Sequence, residues 1–481
     1  MGLGKTLKKF PRTFWVANTM ELFERWAWYG MFILLALYLT GSKDSGALGF
    51  SQSQKGILMG TVVGILYFLP IITGAIADRY GYKKILLLSY GILSTGYLAM
   101  GFVQSYTSFF LVFLYVALGA GLFKPVIGAT IAKTTNEETS SVGFGIFYSI
   151  VNIGAFVGPV VASQFREISW KMPFIIASLA ILVNFVLVIF FYKEPPRKPD
   201  TTPIGESLVK ILKNLGVALS DIKFLIFLII VIGFWTMYNQ LFFTLPVFIE
   251  QWVHTGVMYE RIHEFWPWLA RVMGTEEKHI NPEMIVNIDA LYIVIFQVLI
   301  SSMIQKYKPI NTIISGFLIS SIGIGLWFIT QNGFYLFISI FIFAIGEMAS
   351  SPRIMEYIGR IAPKDKTALY MGAYYVPLAG GNFFAGLISG GVYEKLSGKL
   401  YLLKEEVAKR GLNIPEISEE FSKNEYFAAA AEKMNMTQLE MTDYLWLNYH
   451  PGNFWIIVSS IGIGTTLLMF LYDRLLLKET K

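Results

Sequence analysis

The chain has 481 residues, of which 54% are hydrophobic, 16% aromatic and only 15% charged, with a mean hydropathy of +0.54. Soluble domains carry about 25% charged residues, so a multi-domain soluble enzyme and a disordered chain are both excluded and a polytopic membrane protein is expected. No cysteine is present and histidines number four, which removes disulfides and cysteine-ligated metals, argues against a histidine-rich metal site, and leaves no cofactor expected.

A spanning helix needs about 20 mostly apolar residues. Twelve segments qualify: 15–40, 53–77, 84–103, 107–132, 142–164 and 172–192 in the first half, then 223–249, 284–305, 309–329, 333–352, 367–393 and 452–473. Such full-length apolar runs predict helices rather than barrel strands. Lysines and arginines of the joints, among them Lys5, Lys8, Lys9, Arg12, Arg79, Lys83, Lys84, Lys306 and Lys308, fall on one side. That side is expected to be cytoplasmic, with both termini in the cytoplasm, in an inner or plasma membrane. The net charge of +6 is thus a topology signal, and no nucleic-acid partner is expected.

The joint 193–222 opens KEPPRKPDTTP, continues as the amphipathic stretch Glu206–Leu219, and is too short for a catalytic domain. It divides the chain into 1–192, a first six-helix bundle, and 223–481, a second one. The expected fold class is therefore an all-α membrane protein of twelve transmembrane helices in two pseudo-symmetric six-helix bundles. This plan resembles transporters of the major facilitator fold. Residues 394–449 are charged and helix-prone, and are expected to form an external helical insertion that could receive a partner. GLGKT at 2–6 lacks the upstream glycine and strand of a phosphate loop. The Met1-Gly2…Thr6 pattern fits myristoylation, from which a twelve-span protein gains nothing. Asn435-Met436-Thr437 is a sequon on the outer side, meaningful only in a glycosylating host.

Ionisable groups at membrane depth cost at least ~2.5–3.5 kcal/mol each on insertion scales, so they are functional candidates. Glu21, Glu24 and Arg25 share one face of the first segment. Two carboxylates competing for few cations can hold and release a proton. Lys124 stands in GLFKPV, where Pro125 should free carbonyls, and Glu347 stands in GEMASSP. A lysine and a glutamate from opposite halves could pair when empty, or hold the two ends of a zwitterion. Asp289, near the start of the eighth segment, is either an interfacial carboxylate facing water or a second titrating group. Asn152 and Asn239-Gln240 offer amides suited to peptide or sugar groups, and Trp28, Tyr29, Tyr67, Trp235 and Tyr374 could wall a pocket. Asp78 and Arg79, in GAIADRYGYKK, suit a gating latch at the inner mouth. No nucleophile–base pair is seen, so an enzyme is not expected.

GAIADRYGYKK (74–84) resembles the loop motif of major facilitator transporters. ELFERWAWYGM, beginning at Glu21, resembles the ExxER signature of the proton-dependent oligopeptide transporter family. FYSIVNIG at 147–154 is similar to that family's FYxxINxG motif, and FKPV, FW at 234–235, Glu347 with Pro352, and MGAYY at 371–375 extend the likeness. The resemblance implies symport of di- and tripeptides with protons, coupled through Glu21, Glu24, Arg25 and Lys124. It further implies that Glu347 meets the peptide amine, Lys124 the carboxylate and Asn152 the backbone, with Tyr29, Tyr67 and Trp235 lining the pocket.

Several positions depart from the family. Phe32 stands where an arginine is usual and Asn239 where a helix-seven glutamate is usual, so an ion pair is lost without leaving an orphan charge. Asp289 replaces an asparagine, Trp28 a tyrosine and Tyr374 a tryptophan, and the family's extra helix pair between the halves is absent. These departures leave as the alternative a facilitator carrier for an amino acid, a peptide-like drug or a sugar, or an exporter. The expected partners are a small peptide or zwitterionic solute, protons and the lipid bilayer.

Overall fold

The computed structural model describes residues 7–136, 138–196, 202–364 and 366–477. The GLGKT and Met1-Gly2 patterns and linker residues 197–201 lie outside the described residues. Twelve helical segments occupy the expected places. They are α1 (Arg12–Thr40), α2 (Gln52–Phe68, then Pro70–Tyr80), α3 (Tyr82–Met100), α4 (Tyr106–Lys133), α5 (Ser140–Arg166) and α6 (Lys171–Val186). After a linker helix at Ile204–Leu219 come α7 (Ile222–Tyr238), α8 (Ile288–Ile304), α9 (Pro309–Gly325), α10 (Phe334–Ile361), α11 (Thr367–Ala373, then Tyr375–Leu387) and α12 (Asn453–Leu471). Eight of them are long and apolar enough to cross a membrane unbroken, and α2 makes nine if its two parts, bent by 44°, count as one span. α9 is shorter, and α11 is interrupted at Tyr374.

Local chemistry explains the boundaries. Ser51 and Gln54 form a reciprocal capping box at the start of α2. Pro70, which lacks a backbone N–H, begins its second part. Gly81 joins α2 to α3 at φ 101°, a conformation that favours glycine. The next two backbone N–H groups, of Tyr82 and Lys83, are accepted by the Glu194 carboxylate at 3.0 and 3.2 Å. Pro125 lies inside α4. Having no N–H, it cannot bond the Gly121 carbonyl, which instead accepts the Thr73 hydroxyl of α2 at 2.6 Å. A helix defect is thereby turned into a tie between α2 and α4.

The first and last six spans are joined most closely at the face that bears 394–449. Gly56 and Gly60 of α2 lie against Gly386 of α11 and Gly390 just beyond it, so closely that a Cβ on either side would meet backbone atoms of the other. Arg166 and Glu283 form an ion pair at 2.7 Å, with Glu283 fully buried. Asn281 donates to the Ser163 hydroxyl at 3.1 Å, and Asn287 to the Phe156 carbonyl at 2.9 Å. Lys55, also fully buried, donates to the Phe243 carbonyl at 2.9 Å, just beyond the end of α7. On the opposite face the linker helix packs on the second part of α2 and the first part of α11.

The insertion folds as three helices, Lys399–Lys409, Lys423–Lys433 and Gln438–Tyr449. Glu406 ties the first to the third, accepting from Arg410, Tyr444 and Tyr449 at 2.7–2.8 Å. Burial works against its charge, but those bonds prevail and hold the carboxyl below its ordinary value. The cap also docks on the chain's own first half. Lys423 donates to the carbonyls of Thr40 and Phe50, both at 3.1 Å, and Asn424 donates to Asp44 at 3.0 Å. Burial pushes the Lys423 ammonium down to about 8 against the opposing pull of Glu394, with Lys404 and Lys43 also facing it. The docked form therefore binds fewer protons than the free form between pH 8 and lysine's ordinary 10.5. Docking should tighten as pH rises through that window. Hydrogen-exchange protection factors over 422–435 should accordingly be larger at pH 9 than at pH 7, and a decrease would contradict the docking.

Candidate functional site

The α1 charges converge as their spacing requires. Arg25 Nε donates to Glu24 Oε2 at 2.6 Å and lies 3.3 Å from Glu21 Oε1, while Arg25 Nη2 also contacts Glu24. Glu24 is fully buried, and its second oxygen, Oε1, has no hydrogen-bond donor. Leaving one member of such a buried pair unmatched costs about 3–5 kcal/mol, so the three residues act as a unit. Lys124, brought beside α2 by the proline-freed tie, places its Nζ 4.1 Å from the Tyr67 ring centroid. It sits within electrostatic reach of Glu24 and Glu21 but makes no ion pair with them at 4 Å or less.

A second cluster belongs to the last six spans. Glu347 of α10 accepts a hydrogen bond from Tyr238 of α7 at 2.9 Å. Asp289, only 4% exposed, lies within hydrogen-bonding reach of Glu347. As two carboxylates, they leave Asp289 Oδ1 and Glu347 Oε2 buried without a donor. Of the two settings expected for Asp289, the water-facing one is not found: the residue points inward. Both carboxyls line a cavity of about 70 Å³ with Tyr29, Asn152, Tyr238 and Phe242.

Other expected residues are placed differently. Trp28 is buried, stacked on Phe32 at 5.0 Å, and does not line that cavity. Trp235 is buried with its Nε1–H unpartnered, and packs edge-on to Tyr238 at 5.0 Å. Asn239 caps the end of α7 and donates back to the Trp235 carbonyl. Tyr374 stands at the break in α11, 6.2 Å from the Tyr375 ring. The two departures Phe32 and Asn239 find apolar or local partners, Phe32 packing against Phe242 at 5.9 Å and Phe243 at 6.0 Å. At the loop motif, Asp78 accepts from the Tyr82 hydroxyl at 3.0 Å, and Arg79 donates to the Thr202 carbonyl of the linker.

Sequence reasoning passed over Tyr238 and Lys55. Tyr238 adjoins Asn239 but carries no charge to mark it. Lys55 was findable, because it interrupts the second apolar segment as Lys124 does the fourth.

The model of the Major Facilitator Superfamily matches residues 18–257 and 266–402. The dipeptide and tripeptide permease A of Pectobacterium carotovorum is 25% identical over 306 residues, covering 61% of this chain and 55% of the permease. The chain thus spans about half the length of that relative. An uncharacterised transporter of Bacillus subtilis is 21% identical over 81% of this chain and 90% of its own. Among solved structures, a POT family transporter in complex with 5-aminolevulinic acid superposes with a TM-score of 0.71 at 18% identity, covering 98% of this chain and 99% of the other. These matches stand beside the resemblance carried by Glu21–Arg25 and FYSIVNIG. With a family model matched over residues 18–257 and 266–402, which take in most of both halves, and a shared fold over nearly the whole length, the chain belongs to the major facilitator superfamily.

Proposed function

We propose that the protein is a proton-coupled symporter that imports di- and tripeptides or similar zwitterions by alternating access. The carrying observation is charge placement. Lys124, without a close ion pair among the described residues, belongs to the first six spans, while a carboxyl pair with no cation beside it among those residues, Asp289 and Glu347, belongs to the last six. A zwitterion satisfies both ends at once, whereas a sugar would leave both charges unmatched. Glu21, Glu24 and Arg25 then handle the proton beside Lys124, and Asn152 of α5 offers an amide to the peptide backbone.

In this reading residues 1–192 and 223–481 are the two rocking units and 193–222 is the hinge-side linker. Both termini face the cytoplasm of a plasma or inner membrane, and the 394–449 cap faces outside. The permease relative of Pectobacterium supports the substrate class through its name. The test is uptake into proteoliposomes under an inward proton gradient. Di- and tripeptides should accumulate and compete with one another, while free amino acids and sugars should not compete. Absence of peptide transport at every gradient would overturn the proposal.

A further inference from the structure

The Asp289–Glu347 pair contains one carboxylate more than a single ammonium can neutralise. Both groups line the same small cavity, and Asp289 Oδ1 is buried there without a donor. Facing them are Tyr238 of α7, Tyr148 and Asn152 of α5 and Tyr29 of α1. No lysine or arginine acts on either carboxyl among the described residues. Two carboxylates this close repel one another, and a single proton between them supplies the missing donor. With that proton the pair carries one negative charge, which one substrate ammonium balances.

We propose that this pair is a dual-cation subsite: it takes the substrate amine together with one retained proton, and a second substrate cation can replace that proton. The exchange balances. A singly protonated pair plus a doubly cationic peptide end yields the fully ionised pair holding both ammonium groups, with one proton released to water. Asp289 is then the residue that admits peptides beginning with lysine. The inference rests on the peptide reading above and goes beyond it in assigning a specificity determinant and a second titrating station.

The test compares binding of Ala-Ala and Lys-Ala to the purified full chain at pH 5.5 and 7. Effects of Glu21 and Glu24 are common to both ligands and cancel in the ratio of affinities. Release of one extra proton by Lys-Ala should raise its affinity relative to Ala-Ala by up to about tenfold per pH unit. Asp289→Asn, verified as folded by its melting profile, should remove the pH dependence of this ratio, and Asp289→Glu should restore it. A ratio independent of pH in the native chain, or one that keeps its slope in Asp289→Asn, overturns the inference. Failure of both peptides to bind would instead overturn the peptide reading itself.

Discussion

Glu24→Gln should abolish gradient-driven accumulation while leaving counterflow exchange of substrate. Glu24 is fully buried, with one oxygen on Arg25 and the other without a donor, so a proton has a place to land. Glutamine preserves shape and can still accept from Arg25, but it carries no exchangeable acid proton. The lost acid proton removes coupling itself, while the weakened hydrogen bond to Arg25 costs about 1.5–3 kcal/mol of stability. Exchange needs only the loaded carrier to shuttle, so it survives. Unchanged accumulation in proteoliposomes would remove Glu24 from the coupling machinery.

Gly386→Leu should arrest the carrier with its cap face open. A Cβ at Gly386 would meet the Gly56 carbonyl and the Gly60 Cα, and backbone cannot swing aside as a flexible side chain can. Overpacking of this kind costs about 1–3 kcal/mol, which displaces the closed form by about five- to 150-fold. The native chain contains no cysteine, so a single Ala155→Cys probe beside the cavity reports without background. Impermeant maleimide applied from the cap side should label it readily in the leucine variant and slowly in the parent. Equal labelling together with normal uptake would show that the α2–α11 contact does not gate.

Residues that are costly in a membrane declare themselves within one segment, and Glu21, Glu24, Arg25, Lys124 and Glu347 are legible for that reason. Helix one also announces its own geometry, because residues at i and i+4 must share a face. Asp289 was legible as an acid but not as the partner of Glu347, since 58 residues separate them and neither carries a mark of the other. The same limit hides the α2–α11 contact. Glycines at 56, 60 and 64 show that some helix approaches closely, but not that it is the one carrying Gly386. Docking of the cap through Lys423 was hidden for a different reason: a lysine in a charged, polar segment looks solvated until carbonyls at the ends of α1 and the following loop are found around it.

Phe32 of α1, one of the departures from the resembled family, packs on Phe242 and Phe243 of the second half. Separating aromatic rings exposes apolar surface to water, whereas separating an ion pair exposes charge. Parting these rings should therefore add a sizeable heat-capacity change to the conformational equilibrium, while its response to ionic strength falls to the Arg166–Glu283 pair. Water also has little reason to enter between such rings before they part. The contact between these rings is in that sense a dry one, and water and protons should cross it slowly while it stays closed.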